Sequence, residues 1–151
     1  MRSIAAALGD RYFAEHFRRG AIMRFIMECD DPNVETKYKY GVVLNLDKGD
    51  DEVLLAITTS QLEAYEGGRF EDEILRIPVG TYDCFTKETV LSLRAIRPEP
   101  TARLKELANS GQLTFYGNVS SDDLSLIEQK LIRSRVIERK YKKRTIPNYR
   151  P

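Results

Sequence analysis

Residues 37–61 read KYKYGVVLNLDKGDDEVLLAITTSQ, which is two apolar runs on either side of a polar turn. Short runs rich in Val, Leu and Ile predict strands, and the short polar loop between them predicts a hairpin. We expect strands at residues 40–46 and 53–59, joined by a turn at residues 47–52. Because both runs are almost continuously apolar, both faces of the hairpin should be covered by other parts of the chain.

The composition is that of a single folded domain. The chain has 151 residues, of which 42% are hydrophobic, enough to bury a core without disulfides or metal. Its two cysteines, Cys29 and Cys84, lack CxxC spacing, so we expect reduced, buried thiols in a cytoplasmic protein. The single histidine, His16, argues against a histidine-ligated metal and against a Cys–His pair, and we expect no metal and no cofactor. No apolar run reaches the roughly 20 residues of a membrane helix, so we expect no contact with a membrane.

Charge is unevenly distributed along the chain. The formal net charge is +1, but residues 133–151 hold eight Lys and Arg residues against Glu138, a net +7. The 132 residues before this segment therefore carry −6. Such a basic end can contact a polyanion or an acidic partner, or it can be a solvated helix end with a disordered tail. The sequence leaves both interpretations open.

The order of the predicted elements indicates an α+β fold. Helices are predicted at residues 3–18, 101–109 and 121–140, the last opened by a capping box in which Ser120 accepts from the backbone of Asp123. Further strands are predicted at residues 21–28, 74–79, 89–96 and 113–116. Since the strands follow one another rather than alternate with helices, we expect a small SH3-like bent β-barrel of five to six strands, with an N-terminal helix and two C-terminal helices.

This pattern divides the chain into three parts. We expect an N-terminal helical extension at residues 1–19 and the barrel domain with its C-terminal helix at residues 20–140. Residues 141–151 are then a basic, disordered tail, because the segment is rich in Lys and Arg and contains two prolines, Pro147 and Pro151.

Five segments carry a family resemblance, and they occur in this order: Arg19-Gly-Ala-Ile-Met, Lys39-Tyr-Gly-Val-Val-Leu, Leu55-Ala-Ile-Thr-Thr, Phe85-Thr-Lys-Glu-Thr-Val-Leu, and Asn109-Ser-Gly-Gln-Leu followed by residues 120–131. In order and spacing, residues 20–131 resemble the MazF/PemK toxin family of type II toxin–antitoxin systems. The resemblance implies a homodimeric barrel that cleaves single-stranded mRNA without a metal, by attack of the ribose 2′-hydroxyl on the adjacent phosphate. It also implies an acidic, partly disordered antitoxin as a partner.

The same resemblance assigns candidate site residues. Thr58 matches the family threonine that closes the third strand, whereas the family arginine of the second strand falls on Tyr40. Tyrosine is neutral near pH 7 and cannot supply the fixed positive charge of a guanidinium. Lys39 should face away from Tyr40, which leaves Lys37, or a shift of the loop, to supply the charge. The catalytic candidates are therefore Thr58, Tyr40 and Lys37, and the RNA-binding candidates are Lys37, Tyr38, Lys39, Tyr40, Thr59 and Ser60.

Three functions are open on this evidence. Endoribonuclease activity is favoured by the ordered segments and by Thr58. The alternative is a catalytically impaired SH3-like barrel that binds RNA or a protein partner, favoured by Tyr40 at the arginine position and by the basic C-terminus. A small-molecule enzyme that uses Cys84 or the carboxylates lacks a converging acid–base pair. In the simplest interpretation, Thr58 and Thr59 are ordinary residues at a strand end, and the two tyrosines are half-buried strand residues.

Overall fold

The computed structural model describes residues 4–27 and 37–150 as an α+β fold. Cys29, predicted to be a buried thiol, lies outside these residues. The described strands are β1 (Ala21–Met27), β2 (Lys37–Val43), β3 (Glu52–Thr59), β4 (Ile74–Ile77), β5 (Thr89–Ser92), β6 (Arg97–Pro100) and β7 (Leu113–Asn118). The described α-helices are α1 (Ile4–His16), α2 (Thr101–Asn109), α3 (Ser121–Arg133) and α4 (Arg139–Thr145), and short 3₁₀ helices lie at Glu63–Gly68 and Glu71–Glu73.

The strands form one antiparallel sheet in the order β4-β5-β3-β2-β1-β7, with β6 also paired to β3. β3 is shared along its length, since its first half pairs with β6 and its end pairs with β5. Within the described residues, the end strands β4 and β7 do not pair with each other, so the sheet is open. The predicted α+β class is confirmed, but the sheet has seven strands rather than five or six and is not a closed barrel.

Side-chain alternation along the central strands produces two buried clusters, one on each face of the sheet. The first core contains Ile22, Val42, Leu54 and Ala56 of the sheet together with Leu91, Ile127, Leu131 and Ile146. The second core contains Met23, Phe25, Val43 and Leu55 together with Phe13 and Phe17 of α1 and Leu104 of α2. Both faces of the hairpin are therefore covered, as its continuous apolar runs predict.

α1 and α2 approach closely at Gly9. A Cβ added to Gly9 would lie 2.7 Å from the Cα of Asn109 and would also collide with the Asn109 side chain. We therefore expect Gly9→Ala to lower the free energy of unfolding by about 1–3 kcal/mol, because overpacking outweighs the roughly 1 kcal/mol that alanine gains in a helix. Thermal unfolding measures this, with Leu8→Ala as the control, since Leu8 is 60% exposed. An unchanged or raised melting temperature for Gly9→Ala would contradict the close helix contact.

The C-terminal segment is folded, so the prediction of a disordered tail at residues 141–151 is wrong. α3 ends at Arg133 rather than at residue 140, and Lys142 of α4 caps this end. The Lys142 Nζ donates to two main-chain carbonyls, those of Ile132 (3.1 Å) and Ser134 (2.6 Å). Ile146, only 3% exposed, belongs to the first core. The sequence did not indicate this burial, because the few apolar residues of the segment lie among many basic ones.

Strand boundaries also differ from prediction, by up to four residues. β2 ends at Val43 rather than at residue 46, because the Asn45 side chain takes over the pairing. Its Oδ1 accepts from the amide of Leu54 (2.7 Å) and its Nδ2 donates to the carbonyl of Glu52 (2.8 Å). The strand predicted at residues 89–96 stops at Ser92, and β6 was missed because its two prolines are typical of strand breaks.

Local signals for the helices were more dependable. α2 has the predicted bounds, and the capping box of α3 is confirmed, since the amide of Asp123 donates to the Ser120 Oγ (3.1 Å). Among the helices of the described residues, none combines the length and apolar character that crossing a bilayer requires.

Candidate functional site

A cleft opens where β2 and β3 part. In the strand register, Gly41, Val42 and Val43 of β2 pair with β3, and among the described strands the end of β3 has a partner only on its other edge, where it pairs with β5. The start of β2 and the end of β3 therefore diverge, and the loop before β5 closes the remaining side. The resulting cleft has a volume of about 300 Å³, with walls from residues 37–40, 58–61, 84–87 and Thr89.

All of the residues predicted for the site line this cleft. Lys37, Tyr38 and Ser60 are exposed, Lys39, Tyr40 and Thr59 are half-buried, and Thr58 is buried. The prediction that Lys37, unlike Lys39, could share the face of Tyr40 is wrong, because residues two apart on a regular strand point the same way. Both lysines line the cleft because it opens at the edge between two strands rather than on one face.

Thr58 occupies the apex of the cleft. Its side chain is buried, with 6% of the residue exposed, and its hydroxyl donates to the main-chain carbonyl of Tyr40 (3.2 Å). This bond joins the two strands at the point where their main-chain pairing stops. The Thr58 proton is therefore already committed, and Thr58 serves here to hold Tyr40 in place.

Tyr40 forms the inner wall with its ring. The ring packs edge-on against Phe85, with centroids 5.2 Å apart, and lies 5.7 Å from the ring of Tyr116. Burial, together with nearby Tyr116 and Cys84, raises the pKa of Tyr40, while Arg24 opposes this effect. No residue in the described part of the chain hydrogen-bonds to the Tyr40 hydroxyl. Tyr40 is therefore a neutral phenol whose proton is available to a ligand.

The loop that closes the cleft is anchored by Tyr82. Its hydroxyl accepts from the amide of Ser120 (2.9 Å) and donates to the carboxylate of Asp123, at the start of α3. This fixes the neighbouring Cys84 and Phe85 against the first core. Cys84 is free and half-buried, and burial raises the pKa of its thiol, so it is a poor nucleophile at neutral pH.

The charges that line the cleft have one sign. Lys37, Lys39 and Lys87 contribute to its walls, and the described lining residues include no carboxylate and no histidine. Hydroxyl groups from Thr58, Thr59, Ser60, Thr86 and Thr89 complete the polar lining. Within the described residues, no group of three His, Cys, Asp or Glu side chains could hold a metal ion. This lining suits an anion that also accepts hydrogen bonds, such as a phosphate group.

Arg24 is not among the residues that line the cleft, but it lies against two that do, Tyr38 and Tyr40, and the sequence analysis missed it. It lies opposite Tyr40 in the β1–β2 register, and its guanidinium carbon is 3.8 Å from the centroid of the Tyr38 ring. The available signal was a single charge inside the otherwise apolar strand AIMRFIM. Only the pairing of β1 with β2, which composition cannot supply, connects that charge to the tyrosines.

Comparison with known proteins assigns no family to the chain, since no family model and no curated protein sequence matches it.

Proposed function

We propose that the cleft binds single-stranded RNA and cleaves it, which makes the protein a metal-independent endoribonuclease of the MazF/PemK type. The observation that carries the proposal is a cleft with three lysines and no described carboxylate, bordered by tyrosine rings. Cationic grooves with aromatic side chains are typical of single-strand binding, because the cations contact phosphates and the rings stack on bases. Tyr38 is 41% exposed at the rim and is available for stacking.

The proposed reaction is an internal transfer of the phosphate. The ribose 2′-oxygen attacks phosphorus and loses its proton to solvent, while the bond from phosphorus to the 5′-oxygen breaks. Tyr40 donates its proton to the departing 5′-oxygen and is reprotonated from water. The products are a 2′,3′-cyclic phosphate and a 5′-hydroxyl. Lys37 and Lys39 stabilise the negative charge that builds up on the phosphorane.

The rest of the family resemblance supports the same proposal. The three central strands and β5 would form an opened SH3-like barrel, two copies of which would make a homodimer. An acidic antitoxin in the cytoplasm would compete with RNA for the cationic cleft, since both are polyanions.

Cleavage products test the proposal directly. We expect the purified protein, without a partner, to cut long single-stranded RNA in the presence of EDTA and to leave 2′,3′-cyclic phosphate ends. Substitution of the 2′-hydroxyl by hydrogen in the substrate should abolish cutting, because the nucleophile is then absent. If RNAs of varied sequence all stay intact, the protein is not a nuclease of this type.

The pH dependence gives a second test. The described lining has no carboxylate or histidine to accept the 2′-proton, so the single-turnover rate should rise by up to about tenfold per pH unit from pH 6 to 9. The pKa of Tyr40 lies above its ordinary value of 10.0, so the phenol stays protonated and the rate should not fall in this range. A bell-shaped profile with its maximum near pH 6 or 7 would contradict these roles.

One observation favours binding without cleavage as a second candidate. The hydroxyl of Thr58, the one residue that matches the family site, is already bonded to the Tyr40 carbonyl. A catalytically impaired barrel of this kind would bind single strands with an affinity that falls steeply with salt, without turnover. Equal binding at low and high salt would contradict this version.

A further inference from the structure

Arg24 differs from the other half-buried arginines in the described part of the chain. The other five have carboxylate partners: Arg19 pairs with Glu128, Arg76 with Glu71, Arg97 and Arg103 with Glu99, and Arg144 with Glu52. Arg24 has no such partner among the described residues, and its guanidinium lies instead on the ring of Tyr38. An aromatic face holds a cation without neutralising it. Arg24 therefore keeps a positive charge that can act on an anion.

The position of Arg24 directs this charge towards the cleft. Arg24 and Tyr40 are directly opposed on neighbouring antiparallel strands, so their side chains lie on the same face of the sheet. Tyr38, which supports the guanidinium, and Tyr40 both line the cleft. The positive charge of Arg24 opposes the rise in the pKa of Tyr40 that burial causes.

We propose that Arg24 binds the scissile phosphate and stabilises its transition state, so that strand β1 supplies the guanidinium that β2 lacks. The inference rests on the proposed function, because a scissile phosphate is present only if RNA is the substrate. A planar guanidinium presents a rigid pair of N–H donors that matches two phosphate oxygens, whereas an ammonium such as that of Lys37 acts as a point charge. The Tyr38 ring limits the rotation of the Arg24 side chain, so less conformational entropy is lost when phosphate binds.

Single-turnover cleavage of RNA tests this role with matched variants. We expect Arg24→Gln to slow the cleavage step at saturating RNA by about 100-fold, the usual effect of removing one transition-state donor. Binding of the uncleavable 2′-deoxy analogue should weaken much less, by under about tenfold. Arg24→Lys should restore only part of the rate, because it returns the charge without the two-pronged geometry.

Arg94→Gln is the control. Its guanidinium lies 3.6 Å from the centroid of the Phe70 ring, but it pairs with Glu73 (3.2 Å). Neither Phe70 nor Glu73 lines the cleft, whereas Tyr38, on which Arg24 lies, does. This variant should cleave within about twofold of the parent protein. Thermal unfolding of each variant separates loss of catalysis from loss of fold. If Arg24→Gln is folded and cleaves as fast as Arg94→Gln, the proposal is wrong.

An NMR titration decides the role of Arg24 independently of cleavage. The Nε–H signal of Arg24 should shift and saturate on addition of the dinucleotide dTpdT, which has a phosphodiester but no 2′-hydroxyl, while that of Arg94 stays unchanged. If the protein cuts no RNA, the nuclease function fails, yet a saturable Arg24 shift still supports phosphate binding. The absence of any shift at saturating dinucleotide overturns the inference.

Discussion

A chain that ends at Glu138 is expected to lose its stable fold, although the sequence alone predicted a disordered tail at residues 141–151. The deletion removes Ile146 from the first core, together with the fully buried Thr145. It also removes the Lys142 ammonium that caps the end of α3. The free energy of unfolding of a small domain is only about 5–15 kcal/mol, and loss of buried core residues together with a helix cap should remove a large part of it. Circular dichroism and thermal unfolding of the shortened chain measure the effect.

A point substitution gives the same test without removing charge. We expect Ile146→Ala to lower the free energy of unfolding by about 2–5 kcal/mol, as for other large-to-small changes in a core. Val136→Ala is the matched control, since Val136 lies in the same part of the chain but is 53% exposed, and it should change stability by less than about 0.5 kcal/mol. Equal stability of the two variants, or a cooperative melt of the shortened chain at the parent temperature, would restore the idea of a disordered tail.

One residue of the basic C-terminal segment, Arg144, forms ion pairs with carboxylates of the same chain. Arg144 pairs with Glu52 (3.0 Å) and Asp50 (3.4 Å), and its carbonyl accepts from the amide of Leu46 (3.0 Å). These three residues belong to the turn of the central hairpin, at the end away from the cleft. The charge distribution suggested an acidic partner for the basic segment. For Arg144, that partner is the central hairpin of the same chain.

The parts of the fold that the sequence predicted depend on local patterns. The apolar runs of the hairpin, the cap at Ser120 and the bounds of α2 are each determined within a few residues, and each has a direct counterpart in the structure. The candidate site residues are also local, because four neighbours lie at the start of β2, and two at the end of β3 are followed directly by Ser60. Their convergence on one cleft needed only the hairpin.

The features that were missed depend on distant contacts. Arg24 meets Tyr38 and Tyr40 only through the register of two strands joined by residues 28–36. Ile146 is buried because a charged helix folds back onto the sheet, and the six cations of residues 139–150 give no sign of this. β6 carries two prolines and is a strand only because β3 offers it a partner. Such contacts between distant segments cannot be predicted from a short stretch of sequence.

Reversal of the cleft charges is expected to produce the largest loss of RNA binding. Replacing Lys37, Lys39 and Lys87 by Glu removes three contacts with phosphate, each worth about 1 kcal/mol in water, so affinity at low salt should fall by at least about 100-fold. The slope of a plot of log affinity against log salt concentration should also become shallower by about 2, which is the contribution expected from three phosphate contacts with a single strand. Fluorescence anisotropy with a labelled single strand, at several salt concentrations, measures both quantities.

The control must change the net charge equally at another basic surface. Arg139, Lys140 and Lys143 of α4 are exposed, and replacing them by Glu alters the net charge by the same amount without touching the cleft. If the cleft is the RNA site, this variant should lose less than about tenfold in affinity at about 0.1 M salt, where the Debye length is roughly 10 Å and distant charges are screened. If instead the α4 variant loses as much binding as the cleft variant, RNA is held by the basic C-terminal segment. The lysines of the cleft would then be ordinary solvated side chains at a strand end.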